Sequence, residues 1–243
     1  DGEPLYKDVI CAVFNTKKDI KVYGGRYGLG SKEFTPSMVN AVFENLSLNK
    51  PKYNFTIGIE DDVTNLSLKV ENYIYPTHGK VTSCKFYGYG GDGTVSANKS
   101  SIKIIGNNTD LNAQAYFEYD SKKSGNATIS HLRFGKDEIN ESYLLDNANF
   151  VSVHNQTYVT KYNILKGLID GGTLLINTNW TDEEIDHNFP NSLKQEIVKR
   201  NIKLYTINAY DLAKEIGLGN EINLIMQSCF FKLINIIPFD KAK

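Results

Sequence analysis

The chain has 243 residues, 41% hydrophobic and 23% charged, with 27 Lys and Arg against 28 Asp and Glu. A net charge of -1 and a pI near 6.5 supply no basic surface for nucleic acid, and no apolar run reaches the roughly 18 residues of a membrane span. A chain of this length buries one good core, or one domain and part of another.

The three cysteines, Cys11, Cys84 and Cys229, are odd in number, far apart and outside any C-x-x-C. That pattern argues against a disulfide framework and against a zinc or iron–sulfur site held within the chain. It suits a reducing compartment, the cytoplasm or an anaerobic organelle. The first residues, Asp1-Gly2-Glu3-Pro4, have no initiator Met and no apolar signal region, and they read as an internal boundary of a longer protein.

In chain order, residues 8–14 read as a strand or the end of a buried helix. Ile20–Tyr23 reads as a short strand leading into a glycine turn at 24–30. Thr35 and Pro36 suit the N-cap and first position of a helix, which continues through Val39, Val42, Phe43 and Leu46 at helical spacing. Phe55–Ile59 reads as another strand. Residues 60–80 lack strong periodicity and contain Pro76 and Gly79, as a connection to a new domain would. The chain is thus expected to divide into 1–62, a linker at 63–80, a domain at 81–237 and a tail at 238–243.

From residue 81 the pattern alternates. Strands are expected at 81–87, 113–119, 127–134, 149–153, 173–177 and 203–208. Helices are expected near 94–105, 159–169, 190–200, 209–216 and 221–235, and Thr181 followed by Asp182, Glu183 and Glu184 suits a further helix start. Alternation of this kind argues an α/β fold, a mainly parallel sheet with helices on both faces in a Rossmann-like arrangement. Such sheets bind ligands at the carboxyl ends of their strands, near a switch in strand order. Gly171-Gly172 is read as closing one helix and Gly217 with Gly219 as closing another.

The segment from Tyr87 to Lys99, Y-G-Y-G-G-D-G-T-V-S-A-N-K, carries the chemistry. Gly88, Gly90 and Gly93 fit G-x-G-x-x-G between an expected strand and an expected helix. Glycines let a backbone approach a pyrophosphate, and a helix N-terminus offers free N–H groups and partial positive charge. Asn98 and Lys99 follow on the first turns of that helix and are placed to add to a phosphate site. The next strand, 113–119, is followed by Asp120 and then by Lys122, Lys123 and Ser124, a pair of cations between hydroxyls that suits an extra phosphate on a ribose. The ligand so described has a pyrophosphate and a ribose phosphate. NADP and coenzyme A both meet that description. The four histidines have no metal-ligand spacing, although His154 ends an apolar strand at the expected ligand edge. No nucleophile–base pair is evident, so the chain reads as binding a ligand without performing chemistry unaided.

Five strings resemble pyruvate:ferredoxin (flavodoxin) oxidoreductase: G-G-R-Y-G-L-G-S-K-E-F-T-P (24–36), G-D-G-T-V-S-A-N-K-S-S-I-K (91–103), Y-D-S-K-K-S-G (119–125), S-H-L-R-F-G (130–135) and G-L-G-N-E-I-N-L-I-M-Q (217–227). The pyruvate:NADP oxidoreductases, which fuse the same core to a reductase, look equally similar. The resemblance covers nearly the whole chain and implies a fragment of a much longer enzyme that forms acetyl-CoA from pyruvate. In that family thiamine diphosphate, Mg2+ and [4Fe–4S] clusters belong to segments absent here, the enzyme is a homodimer, and ferredoxin, flavodoxin or the fused reductase accepts the electrons. The resemblance further implies that residues 1 to about 60 end a transketolase-C-terminal-like domain, and that residues from about 80 to 237 form a γ-subunit-like domain binding coenzyme A. Gly90, Gly91, Asp92, Gly93, Thr94 and Asn98 would then surround the pyrophosphate, and Lys122, Lys123 and Ser124 the 3′-phosphate. Ser96 stands where the family pattern has Gly, and Ser100 where Asn is common.

Overall fold

A computed structural model of the chain describes residues 3–28, 32–59, 63–71, 81–119 and 127–241. It divides into two compact units, Asp1–Pro76 and Thr77–Lys243.

The first unit contains α1 (Pro4–Asn15), β1 (Gly25–Arg26), α2 (Pro36–Leu46) and β2 (Phe55–Thr56). Residues 8–14 therefore lie in a helix, and none of its residues is buried. Pro4 at its first position fixes the backbone angle that starts it. Ile20–Tyr23 is outside any strand, and the strand after it is the two residues of β1, paired in parallel with β2. The Thr35 hydroxyl accepts a hydrogen bond from the Met38 amide and caps α2 as its sequence predicts. Ala41, Phe55 and Ile57 are the first unit's buried apolar residues among those described. Residues 66–68, expected in the linker, hydrogen-bond to Thr56 of β2 through the Leu66 carbonyl and the Leu68 amide.

The second unit is a six-stranded sheet in the order β4 (Asn112–Tyr119), β5 (Ala127–Gly135), β3 (Val81–Tyr89), β6 (Ala148–Val153), β7 (Leu168–Asn177), β8 (Lys203–Ile207). β3, β6, β7 and β8 are mutually parallel, whereas β5 runs antiparallel to both β3 and β4. The expected α/β sheet with helices on both faces is present, and all six strands were placed by their apolar pattern. One face holds Cys84, Phe86, Leu132 and Phe150 against α3 (Thr94–Asn108), α7 (Ala209–Glu215) and α8 (Asn223–Ile234). The other holds Val151, Val153, Leu174 and Ile176 against α4 (Tyr158–Lys161), α5 (Asp182–Asn188) and α6 (Asn191–Lys199).

Two expectations are corrected. The helix expected at 159–169 is only the four residues of α4, and β7 already begins at Leu168. Gly167, at φ 78, turns the chain so that its carbonyl accepts from the Ala148 amide and starts the β6–β7 pairing. Gly171-Gly172 accordingly lies within β7, beside the register shift between Ala148 and Phe150, and closes no helix. Gly217 does end α7: at φ 81 it lets its own amide reach the Lys214 carbonyl and the Leu218 amide reach Ala213. At 182–188 the side chains of Thr181 and Glu184 each accept a hydrogen bond from the other's backbone amide, which starts α5.

Candidate functional site

β3 is the first strand of the second unit and lies in the middle of its sheet. The chain goes to one side of it for β4 and β5, then crosses to the other for β6, β7 and β8. The strand order thus switches between β3 and β6, and the crevice at their carboxyl ends is where an α/β sheet takes its ligand. The loops bordering that crevice are Gly90–Gly93 after β3 and His154–Thr157 after β6.

The first loop is a tight turn into α3. The Asp92 amide donates to the Tyr89 carbonyl at 3.0 Å. The Asp92 carboxylate accepts from the Tyr89 amide at 2.7 Å and from the Thr94 amide at 2.8 Å. Gly91 and Gly93 have φ of 89° and 82°, in the left-handed region that favours glycine. A Cβ on Gly93 would stand 2.8 Å from Nδ2 of Asn223, and one on Gly88 would stand 2.6 Å from the Thr94 side chain. At Gly90 and Gly91 a Cβ would meet no atom of the described residues within 4 Å beyond its chain neighbours, so the outer side of the turn is open to a ligand.

Two helices begin at this turn. α3 starts at Thr94, and α8 starts at Asn223, whose side chain lies against Gly93. Helix N-termini present unpaired amides and partial positive charge. The Asp92 carboxylate satisfies one amide of α3, and the Gly93 carbonyl accepts from Ala97. Among the described residues no side chain caps α8. Gln227, one turn into α8, donates from Nε2 to the Ala97 carbonyl and to Ser101 Oγ, which clamps the two helices together.

Behind the turn the sheet is polar. Thr94 Oγ1 and His154 Nδ1 are hydrogen-bonded at 2.8 Å in the interior. The His154 amide donates to the Tyr87 carbonyl, and its own carbonyl accepts from Asn177 Nδ2. Burial lowers the His154 pKa to about 4, against the opposing pull of the nearby Asp92 carboxylate, so the imidazole is neutral at physiological pH. Burial, with help from Tyr162 and Asp92, raises the Tyr158 phenol to about 12. Asn98 Nδ2, His154 Nε2, Tyr158 Oη and Asn223 Oδ1 are buried without a hydrogen-bond partner among the described residues. Interiors rarely leave such atoms unpaired, and four of them flank this one turn and crevice.

The structure therefore brings Gly90, Gly91, Asp92, Gly93, Thr94 and Asn98 together at the start of α3. Asp92 serves there as the internal acceptor that shapes the turn. Lys99 holds its ammonium over the Phe117 ring, 5.4 Å from the centroid. Lys122, Lys123 and Ser124 lie outside the described residues, as does Asp120. The strand preceding them, β4, is not beside β3, because β5 stands between them. His154 was legible as the residue after an apolar strand. Asn223 and Gln227 carry no such local signal, and they reach the turn only through the packing of α8 on α3. Among the described residues no group of three or more His, Cys, Asp or Glu side chains could hold a metal ion. No helix among them is long and apolar enough to cross a membrane.

The family model for pyruvate ferredoxin/flavodoxin oxidoreductase matches residues 83–243. The chain is 54% identical over 241 residues to pyruvate:ferredoxin oxidoreductase of Moorella thermoacetica, covering 99% of this chain and 21% of that protein. It is 48% identical over 249 residues to the NADP(+) pyruvate dehydrogenase of Cryptosporidium parvum, covering 99% of this chain and 13% of that one. The chain thus spans about a fifth or less of the length of these curated relatives. Among solved structures, pyruvate oxidoreductase subunit PORC from Thermotoga maritima aligns with a TM-score of 0.52 at 22% identity, over 67% of this chain and 82% of that one. A 2-oxoglutarate:ferredoxin oxidoreductase from Magnetococcus marinus, solved with 2-oxoglutarate, coenzyme A and succinyl-CoA bound, aligns with a TM-score of 0.51 at 17% identity, over 68% of this chain and 26% of that one.

Proposed function

The chain belongs to the pyruvate ferredoxin/flavodoxin oxidoreductase family, and from that premise we propose that it is the coenzyme A-binding portion of a longer pyruvate oxidoreductase. That enzyme would decarboxylate pyruvate oxidatively to acetyl-CoA and CO2 and pass the electrons to ferredoxin, flavodoxin or NADP. Thiamine diphosphate, Mg2+ and the [4Fe–4S] clusters would be held by other segments, and this chain alone would be inactive. The parent would be a homodimer in a reducing compartment. Residues 1–62 would finish a preceding domain, 63–80 would connect, 81–237 would bind the ligand and 238–243 would lead onward.

One observation carries the reading. At the strand-order switch, two helix N-termini meet a glycine turn whose outer side is open at Gly90 and Gly91. Backbone amides of Gly90, Gly91, Gly93 and the first turn of α3 would hold the pyrophosphate. Asp92 would hold the turn in shape, and Thr94 and Asn98 would line its base. Lys122, Lys123 and Ser124 would meet the 3′-phosphate. Coenzyme A bound to the Magnetococcus protein of the same fold supports this choice of nucleotide.

The test is thermal stabilisation of the full-length enzyme by coenzyme A, dephospho-coenzyme A, NADPH and NADH. A large shift with coenzyme A and a much smaller one with dephospho-coenzyme A is expected. Preference for NADPH would instead make the turn an NADP site. No shift with any of the four would leave the domain a spacer between catalytic domains.

A further inference from the structure

We infer that Tyr119 is the stacking platform for the purine base of the ligand whose phosphates sit at the Gly90–Gly93 turn. This rests on the reading of that turn as a phosphate site.

Register places the residue. Tyr119 pairs with Thr128 across β4 and β5, and Thr128 pairs with Gly88 across β5 and β3. Paired residues put their side chains on one face of a sheet, so Tyr119 shares a face with the Thr94 side chain, which lies against Gly88. Both β3 and β4 run antiparallel to β5, so Tyr119, the last residue of β4, lies at the same carboxyl edge as the turn. Two strand spacings put it roughly 10 Å to the side of Gly88. Because β5 intervenes, the end of β4 faces the turn across the width of one strand. The end of β4 is at the right remove for the group beyond the ribose.

The covering of this face stops where the platform begins. Two residues back, Phe117 is roofed by the Lys99 ammonium of α3. Among the described residues Tyr119 has no such roof, and it is 60% exposed. An exposed ring beside an anion site suits an aromatic base, which every purine nucleotide offers as a flat π-face. The orphaned Asn98 Nδ2 and His154 Nε2 supply independent signs that the neighbouring turn expects a polar ligand. Tyr116, also on β4 and 55% exposed, belongs to the opposite face and packs toward His131, which makes it the internal control.

The experiment uses the full-length enzyme with Tyr119→Ala, Tyr119→Leu, Tyr119→Phe and Tyr116→Ala. Titrants are 1,N6-etheno-coenzyme A, whose emission responds to ring stacking, and 4′-phosphopantetheine, which lacks the base. Tyr119→Ala and Tyr119→Leu are expected to weaken etheno-coenzyme A binding about five- to hundredfold, the range of one base–aromatic stack, and to abolish the emission change. Tyr119→Phe restores both, Tyr116→Ala changes neither, and 4′-phosphopantetheine binding is the same throughout. Unchanged etheno-coenzyme A binding in Tyr119→Ala, or an equal loss for both titrants, overturns the platform while leaving the phosphate site standing. Failure of the unaltered enzyme to bind coenzyme A overturns both readings, and it is seen before any substitution is made.

Discussion

The Thr94 hydroxyl and the His154 imidazole, 60 residues apart in sequence, are joined by a 2.8 Å hydrogen bond in the interior, and that bond ties the start of α3 to the loop after β6. His154 has its pKa lowered to about 4, while an unfolded histidine titrates near 6.5. Between those values the unfolded chain binds the extra proton, so stability falls as pH drops from about 6.5 toward 4. The loss should be on the order of 3 kcal/mol. Melting temperature followed from pH 7.5 to 4.5 should decline in that window, and the decline should be smaller in His154→Gln. Equal slopes in the two proteins would rule out His154 as the titrating group.

Thr94→Val keeps the shape and removes the hydroxyl. It strands a buried ring nitrogen, so a loss of about 1–3 kcal/mol is expected. Chemical denaturation of the two forms measures it, and Thr94→Ser should recover most of the difference.

The glycines of the turn should separate by role. Gly93→Ala combines a φ of 82° with a contact 2.8 Å from Asn223, and a loss of about 1–3 kcal/mol follows. Gly90→Ala meets no protein atom, so its melting temperature should stay within about one degree of the parent while coenzyme A binding weakens at least tenfold, about 1.4 kcal/mol or more. If Gly90→Ala binds normally, the ligand does not approach that side of the turn.

Asp92→Ala removes both acceptor contacts that shape the loop, to Tyr89 and Thr94. A stability loss of about 1–3 kcal/mol is expected from losing hydrogen bonds to a charged acceptor. Asp92→Asn, which keeps one acceptor oxygen, should lose less. The order of the two melting temperatures checks this.

Replacing Lys122 and Lys123 together with alanine should erase any preference for coenzyme A over dephospho-coenzyme A. Isothermal titration with both ligands gives the ratio directly. A preference that survives the double substitution would assign the 3′-phosphate to other residues.

The strand–turn–helix unit around Gly88–Thr94 was legible in sequence because every part of it is local. Glycine spacing, the apolar run before it and the helix after it lie within one stretch of chain. The course of 158–169 was not legible, because the few apolar residues Ile164, Leu165 and Leu168 suit a helix or a buried strand equally. The antiparallel β5 did leave a signal. Only residues 120–126 separate β4 from β5, too few for a parallel crossover, which takes about a dozen residues or more. Asn223 and Gln227 could not be found locally, since the Gln227 contacts with Ala97 and Ser101 span 126 to 130 residues.

The central position of β3 has a consequence for assembly. Both of its sheet neighbours, β5 and β6, follow it in the chain. A strand that emerges first and is flanked on both sides by later ones stays unpaired until those have been made. Contacts between distant segments also close after local ones. The glycine motif is therefore synthesised whole long before anything holds it. A nascent chain halted ahead of β6 would carry every residue of the turn and the β5 neighbour, but neither the second flanking strand nor the histidine that fixes the turn. Competence for the ligand is thus expected to arrive as one of the last events of folding, in a domain whose most recognisable sequence is made among the first.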